Sequence, residues 1–367
     1  MTGNDSSFYT KTHVYGDEYA ILDGRVLTVA ALSKTGGSGT NQNKRYTGFL
    51  SPSFNGRVIL PPTAIGLVLA LHTLLPAHEN YRLKLLPYFS YFLVILLFIY
   101  GIAAVASLFS RSLREILSFK AVFHAFGLLA LGVYNLATLK FELIPNIYFP
   151  PPERILGVFV EDGFFLLRCL VYSLRLLLSG FVLGALTGVF TGTVIGWSRR
   201  CNYWVMPFIR MVGPIPSTAW IPVALVIFFR PTSASVFLIA LGVWFPTTVL
   251  TNSGIMNVRK TYFEVSSTLG AGDLRMILTV ALPAAAPSIF TGIFNGTSAC
   301  FLTLMAAEMI GCKFGIGWYI NWQRETLAYA NVYAGLIIIA LTFSGLIGLQ
   351  FKVRNKALAW QKGTIRW

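Results

Sequence analysis

Eight long apolar runs, set apart by short polar segments, organise the chain from residue 58 onward: 58–76, 87–109, 121–139, 174–197, 206–229, 234–253, 286–310 and 331–351. About 20 apolar residues suffice for a helix to cross the hydrocarbon of a bilayer. The pattern therefore predicts an all-α, polytopic membrane protein with eight transmembrane helices. Arg210 interrupts the fifth run, Arg175 lies close to one end of the fourth and Glu308 sits near the end of the seventh. Tyr and Trp are frequent near the run ends, as interfacial anchoring produces. Residues 1–57 are polar, and Gly36-Gly37-Ser38-Gly39-Thr40-Asn41-Gln42-Asn43 reads as a flexible linker. That glycine cluster lacks the Gly-Lys-Ser/Thr ending of a phosphate loop. The first apolar run is long enough to remain as a span, so no secretory signal is expected.

Between the sixth and seventh runs lies a polar stretch, 254–285, with its own periodicity. Val258, Tyr262, Val265 and Leu269 fall on one face of a short helix. Gly270 supplies the permissive backbone of a helix C-terminus, and Asp273 is a suitable N-cap for a second helix. That second helix carries Leu274, Ile277, Leu278 and Ala281 on one face until Pro283 disfavours the helical conformation at Leu282. Helix, tight turn, helix is the expectation, a shape that can insert into a cleft on a soluble partner.

Charge sets the orientation. Of the 29 Lys and Arg residues, 19 fall on the side of the 254–285 loop if eight spans alternate from a cytoplasmic N-terminus, against 8 on the other side. Cytoplasmic loops carry such an excess. Both termini and the 254–285 loop are thus expected inside. The net charge of +15 is dispersed over loops without a recognisable binding module, so nucleic acid is not an expected partner. Cys169, Cys201, Cys300 and Cys312 form no Cys-x-x-Cys pair and read as free thiols. No metal site and no catalytic residues are expected. His72 and His124, within apolar runs, suit a packing role at least as well as a functional one. Gly180, Gly184 and Gly188, continued by Gly192 and Gly196, repeat every four residues and predict a helix neighbour in backbone contact, within the chain rather than between copies.

The spacing Glu264-Val265-Ser266, Gly270-Ala271, then Val280-Ala281-Leu282-Pro283 resembles the loop that membrane subunits of binding-protein-dependent ABC importers present to their ATPase, with Ser266 in place of that pattern's second Ala. Further motifs are similar to the branch that imports nitrate, bicarbonate, taurine, aliphatic sulfonates and some vitamin precursors. They are Pro150-Pro151-Pro152-Glu153 before an amphipathic stretch, Ser173-Leu174-Arg175-Leu176, Gly196-Trp197-Ser198-Arg199-Arg200, Pro214-Ile215-Pro216-Ser217-Thr218-Ala219-Trp220, and Ala307-Glu308-Met309-Ile310-Gly311 followed by Gly315-Ile316-Gly317. The likeness runs from about residue 121 to about 362. It implies a six-span permease body (121–367) preceded by a polar segment (1–57) and an extra two-span hairpin (58–120) that departs from the family.

The resemblance also implies a non-enzymatic subunit of an ATP-driven importer in a bacterial cytoplasmic membrane. Its partners would be ABC ATPase subunits, an extracytoplasmic solute-binding protein and a second permease copy, with ATP and Mg on the ATPase and no cofactor in this chain. Glu264, Val265, Ser266, Gly270, Ala271, Asp273, Leu282 and Pro283 would form the coupling loop. A small anion is the expected substrate, with a neutral vitamin precursor as the alternative; an ion-coupled secondary carrier would need intramembrane acidic residues beyond Glu308 and an inverted repeat. For the route, Arg210 either lines it, pairs with Glu308 or snorkels to the cytoplasmic edge. Pro214 and Pro216 can break the span and leave backbone donors facing a cavity. Trp220, Asn252 and Asn295 are further polar or aromatic positions that either face the passage or bridge helices.

Overall fold

The computed structural model describes the backbone of residues 11–14, 17–22 and 25–28, and the chain over 56–76 and 87–360, apart from the side chains of Arg111, Ile310 and Gly311. The chain divides into two units, Met1–Ser53 and Phe54–Trp367. In the first, strands β1 (Lys11–Val14), β2 (Asp17–Leu22) and β3 (Arg25–Thr28) form an antiparallel meander in the register Lys11↔Ala20 and Tyr19↔Thr28. The polar composition hid these strands, although Asp23-Gly24 between β2 and β3 is a pair favoured in two-residue hairpin loops. The expected linker at 36–43 lies outside the described residues.

The second unit is helical. Helix α1 (Leu60–Leu74) and α2 (Tyr88–Phe109) make the extra hairpin, and α3 (Arg111–Asn135) continues through a wider π turn to Lys140. The short α4 (Pro152–Glu161) leads into α5 (Gly163–Trp197), then α6 (Arg199–Val212), α7 (Ile221–Ile227, entered through a 3-10 turn at Ser217–Trp220) and α8 (Pro231–Met256). After α9 (Lys260–Thr268) and the single turn α10 (Asp273–Met276) come α11 (Leu282–Gly311), α12 (Ile316–Glu325) and α13 (Tyr329–Ala357). Proline stands in the first turn of α1, α4, α7, α8 and α11, where its missing N–H is one that a helix start leaves unpaired anyway. Ser110 and Ser198 cap α3 and α6 by accepting from the N–H of Leu113 and Cys201.

Among the described residues, seven helices are long and apolar enough to cross a membrane, and α6 with the segment Ser217–Ile227 forms an eighth candidate, bent by 88°. Whether the bent pair crosses is decided by packing. Gly180 faces Ile239, Gly184 faces Ala240 and Val243, Gly188 faces Thr247, Gly192 faces Thr251 and Gly196 faces Ile255. The numbers rise together along both helices, so α5 and α8 run parallel. The chain leaving α5 must therefore return to the opposite side before α8 begins, which makes 199–230 a crossing and the total eight. The seam itself is the predicted glycine row: a Cβ on Gly184 would lie 2.4 Å from the Ala240 carbonyl oxygen. Only glycine lets the backbones meet this closely.

Helix α11 packs antiparallel to α8, with Gly254 against Ser288 and Gly296 against Val243, and α13 runs antiparallel to α11 through the ring pairs Phe301–Phe343 and Phe294–Phe351. Arg199 and Arg200, the 257–281 loop and the basic end of α13 (Lys352, Arg354, Lys356) consequently share one side. A common core of Leu177, Ile239, Val243, Cys300 and Leu304 joins α5, α8 and α11. All four cysteines are free thiols.

The extra hairpin is gripped at its turn end. Lys140 Nζ donates to the carbonyls of His72 (2.7 Å) and Leu75 (2.6 Å), satisfying the unpaired C-terminus of α1. Glu153 accepts from the Phe89 N–H at the start of α2 and lies 3.8 Å from His72 Nε2. Asn135 Nδ2 and His72 Nδ1 are 2.9 Å apart. Burial pushes the Glu153 carboxyl above its ordinary range, opposed by the Lys140 ammonium and the Phe89 amide. Thus His72 has a packing role, and His124 likewise bonds the Tyr100 hydroxyl at 2.9 Å.

Candidate functional site: an exposed coupling loop and a cavity at a broken span

The loop after α8 folds as helix, turn, helix. Gly270 has φ +77°, its N–H bonds the Ser267 carbonyl at 2.9 Å, and the Ala271 N–H bonds the Ser266 carbonyl at 3.1 Å. These two bonds are the Schellman closure, which needs a left-handed residue at the Gly270 position and accounts for the Gly-Ala spacing. Asp273 is the first residue of α10, with Gly272 in the capping place. Pro283 does not end the second helix as expected. A π turn at Ile277–Ala281 runs straight into α11, and Pro283 sits in the first turn of that helix, where no N–H is missed.

The apolar face of this loop is turned outward. Val265, Leu269, Leu274 and Leu278 are all exposed, Leu269 at 82%, beside exposed Glu264. Ser266 is occupied in a bond to the Tyr262 carbonyl. The opposite side of the loop is fixed to the spans: Phe263 meets the Trp197 ring at 5.6 Å, and Ala281 and Ala285 pack on Ile255. A solvated pair of helices with large apolar residues facing water is a docking feature.

A cavity of about 340 Å³ opens at the break in the fifth span. Gly213 ends α6 with the Phe245 ring packed directly on it, so a side chain at this position would have to displace that ring. Pro214 and Pro216 follow, and neither can donate to a continuing helix. Ser217 Oγ then bonds Thr303 Oγ1 on α11, with Gly242 of α8 against both hydroxyls. Trp220, Asn295 and Trp244 also line the space, and Trp220 Nε1 is buried without a partner. None of the described residues lining the cavity is charged. Deeper in the α5–α8 seam, Trp244 Nε1 donates to Thr191 Oγ1, which in turn bonds Thr248.

The route residues read from the sequence therefore separate. Pro216, Trp220 and Asn295 line the cavity. Arg210 and Pro214 are exposed and outside its lining, and Asn252 is buried in α8 with its Oδ1 unpartnered. Glu308 is fully buried on the other side of the membrane from the coupling loop, where it accepts from the Gly317 N–H at 2.8 Å and forms no ion pair with an Arg among the described residues. The pairing of Arg210 with Glu308 is thus absent. Ser217, Gly242, Phe245 and Thr303 were missed; the Gly-Pro-x-Pro break at 213–216 marked Ser217, but nothing local marked its partners on distant helices.

Residues 180–351, which include both the broken span and the loop, match the family described as the inner membrane component of binding-protein-dependent transport systems. A putative ABC transporter permease of Methanocaldococcus jannaschii is 30% identical over 240 residues, 64% of this chain and 87% of the relative. The chain belongs to this permease family. A bicarbonate transport system permease of Synechococcus elongatus is 31% identical over 201 residues (54% of this chain, 67% of the relative). A putative aliphatic sulfonates transport permease of Bacillus subtilis is 31% identical over 217 residues (58% and 78%). As a permease the chain is a multi-pass transport subunit rather than an enzyme. The matched segment excludes the extra hairpin.

Proposed function

We propose that this permease is the membrane-spanning subunit of an ATP-driven importer that carries a small anion, of the bicarbonate or sulfonate kind, delivered by a binding protein. The observation that carries the reading is the outward-facing apolar loop, docked to the spans on one side and open to a partner on the other. An ATPase subunit takes that loop, and a second permease copy takes a second ATPase. When ATP closes the ATPases, the push on α9 and α10 passes through Phe263 and Ala281 to α5, α8 and α11. Helices α8 and α11 form two walls of the cavity, so the push changes its access.

Within the cavity, hydroxyl and indole groups meet the anion without a fixed charge. A neutral lining holds an anion weakly and lets it leave, with selectivity resting on the binding protein. The same lining suits a neutral solute, which is the second reading.

The test is reconstitution of the full chain with its ATPase and binding protein in liposomes, measuring ATP hydrolysis and uptake of labelled bicarbonate, taurine and a neutral pyrimidine. Uptake of an anion, with Glu264→Lys and Gly270→Pro inserted normally but inactive in both assays, supports the proposal. Normal transport by both variants overturns the coupling role, and uptake of the neutral solute alone overturns the anion.

A further inference from the structure

Arg175 is an exposed cation on a membrane-spanning helix, and it forms no ion pair or side-chain hydrogen bond with the described residues. Its height along α5 is informative. Trp197 ends the helix on the coupling-loop side, and the 22 residues from there back to Arg175 rise by about 33 Å. The hydrocarbon is about 30 Å thick, so a guanidinium at that distance stands at the phosphate level of the far leaflet. The parallel packing agrees: Gly180 is level with Val236 and Ile239, which places Arg175 beside the first turn of α8.

There it lines a groove of about 600 Å³ between α5 and α8, and the groove is graded in polarity. Tyr172, Thr232 and Ser233 lie with Arg175 at the outer end. Leu183 and Phe237, farther along their helices toward the membrane centre, line the deeper part, closed by Phe228 from the end of α7. No residue of this groove lines the cavity at the broken span. A soluble anion would need polar groups on all sides. A charged head above and an apolar channel below instead match a molecule with the same gradient.

We propose that this groove is a phospholipid site of the far leaflet, with the phosphate diester on the Arg175 guanidinium and one acyl chain lying along Leu183 and Phe237. Guanidinium offers two parallel N–H donors to a phosphate, and the neighbouring hydroxyls complete its shell. The bound lipid covers the mouth of the α5–α8 seam.

The experiment is mass spectrometry of phospholipid retained by the full-length chain purified in mild detergent, repeated for Arg175→Gln and for Leu183→Trp. The second variant keeps the charge and blocks the acyl channel. The expected result is one tightly held phospholipid on the parent chain, lost in both variants, and unaffected by millimolar inorganic phosphate or bicarbonate. Equal retention in the parent and both variants overturns the site. Displacement by inorganic phosphate or bicarbonate overturns it as well, in favour of a soluble-anion site. Circular dichroism of each variant separates loss of lipid from loss of fold.

Discussion

The carboxylate of Glu308, fully buried, accepts a hydrogen bond from the backbone N–H of Gly317 at 2.8 Å across the turn that joins α11 to α12. Gly315 in that turn has φ +129°, and a Cβ there would lie 2.5 Å from the Glu308 carboxyl carbon. The turn is wrapped around the carboxylate, which explains why the Glu and the Gly-x-Gly occur together in the sequence. Glu308→Ala should destabilise the protein by roughly 2–4 kcal/mol, because it frees a buried N–H and leaves a cavity. Glu308→Gln retains an acceptor and should cost less than half as much. Thermal unfolding in detergent measures both; equal stability of the Ala variant and the parent would remove the anchoring role.

The α5–α8 seam makes a sharper stability prediction. Gly184→Val brings side-chain atoms onto the Ala240 carbonyl, which cannot move without parting the helices. Gly66→Val meets nothing within 4 Å. The first should cost at least about 3 kcal/mol and the second within about 1 kcal/mol. Similar melting temperatures for the two would show that the seam is loose.

The α5–α8 seam was partly legible in the chain. A four-residue glycine repeat has one use inside a span, so the close neighbour was predictable, whereas its identity as α8, running parallel, depended on contacts between positions far apart in the chain, such as Gly180 with Ile239. Local spacing likewise revealed the Gly270 turn, because a left-handed residue leaves a glycine behind. Pro283 misled, since proline is tolerated in a first turn as readily as it ends a helix, and only the wider turn at 277–281 distinguishes these cases. Glu308 and Arg210 were candidates for one route because charge in a span is costly wherever it lies. Their separation rests on tertiary packing that hydropathy does not encode.

For the coupling loop, Gly270→Val places a β-branched residue at φ +77°, at a cost of roughly 1–2 kcal/mol borne locally. The surrounding residues are exposed, so global stability should change little while the turn distorts. Leu269→Glu with Leu274→Glu removes the outward apolar face and leaves the turn intact. Both changes should abolish capture of the ATPase in a pull-down from detergent. Capture at parental levels by the double variant would show that the partner docks elsewhere.

Sidedness is checked by labelling. In a chain with its four cysteines replaced, Gly272→Cys should react with a membrane-impermeant maleimide only in inside-out vesicles, and Lys313→Cys only in intact cells. Helix α11 alone separates these positions, so they must lie on opposite sides. Reaction of both from one side would show that α11 does not cross.

The extra hairpin yields the last prediction. Removing residues 1–110 takes away two spans, so every later loop keeps its side, and transport should persist in part because neither the cavity nor the loop contains hairpin residues. Stability is another matter. Lys140 would lose the His72 and Leu75 carbonyls, Asn135 would lose the His72 ring, and Glu153 would lose the Phe89 amide, all at one buried corner. Groups left buried without partners cost about 1–3 kcal/mol each, more when charged. The truncated chain should therefore melt well below the parent, and Lys140→Met with Glu153→Gln should recover much of the loss in the truncated chain while destabilising the full one. That crossover is the signature of a grip between charged side chains and helix ends. If the double substitution acts alike in both backgrounds, the corner is not what holds the hairpin. Complete loss of transport in a truncated chain that still inserts and binds its ATPase would instead place the hairpin in the transport cycle.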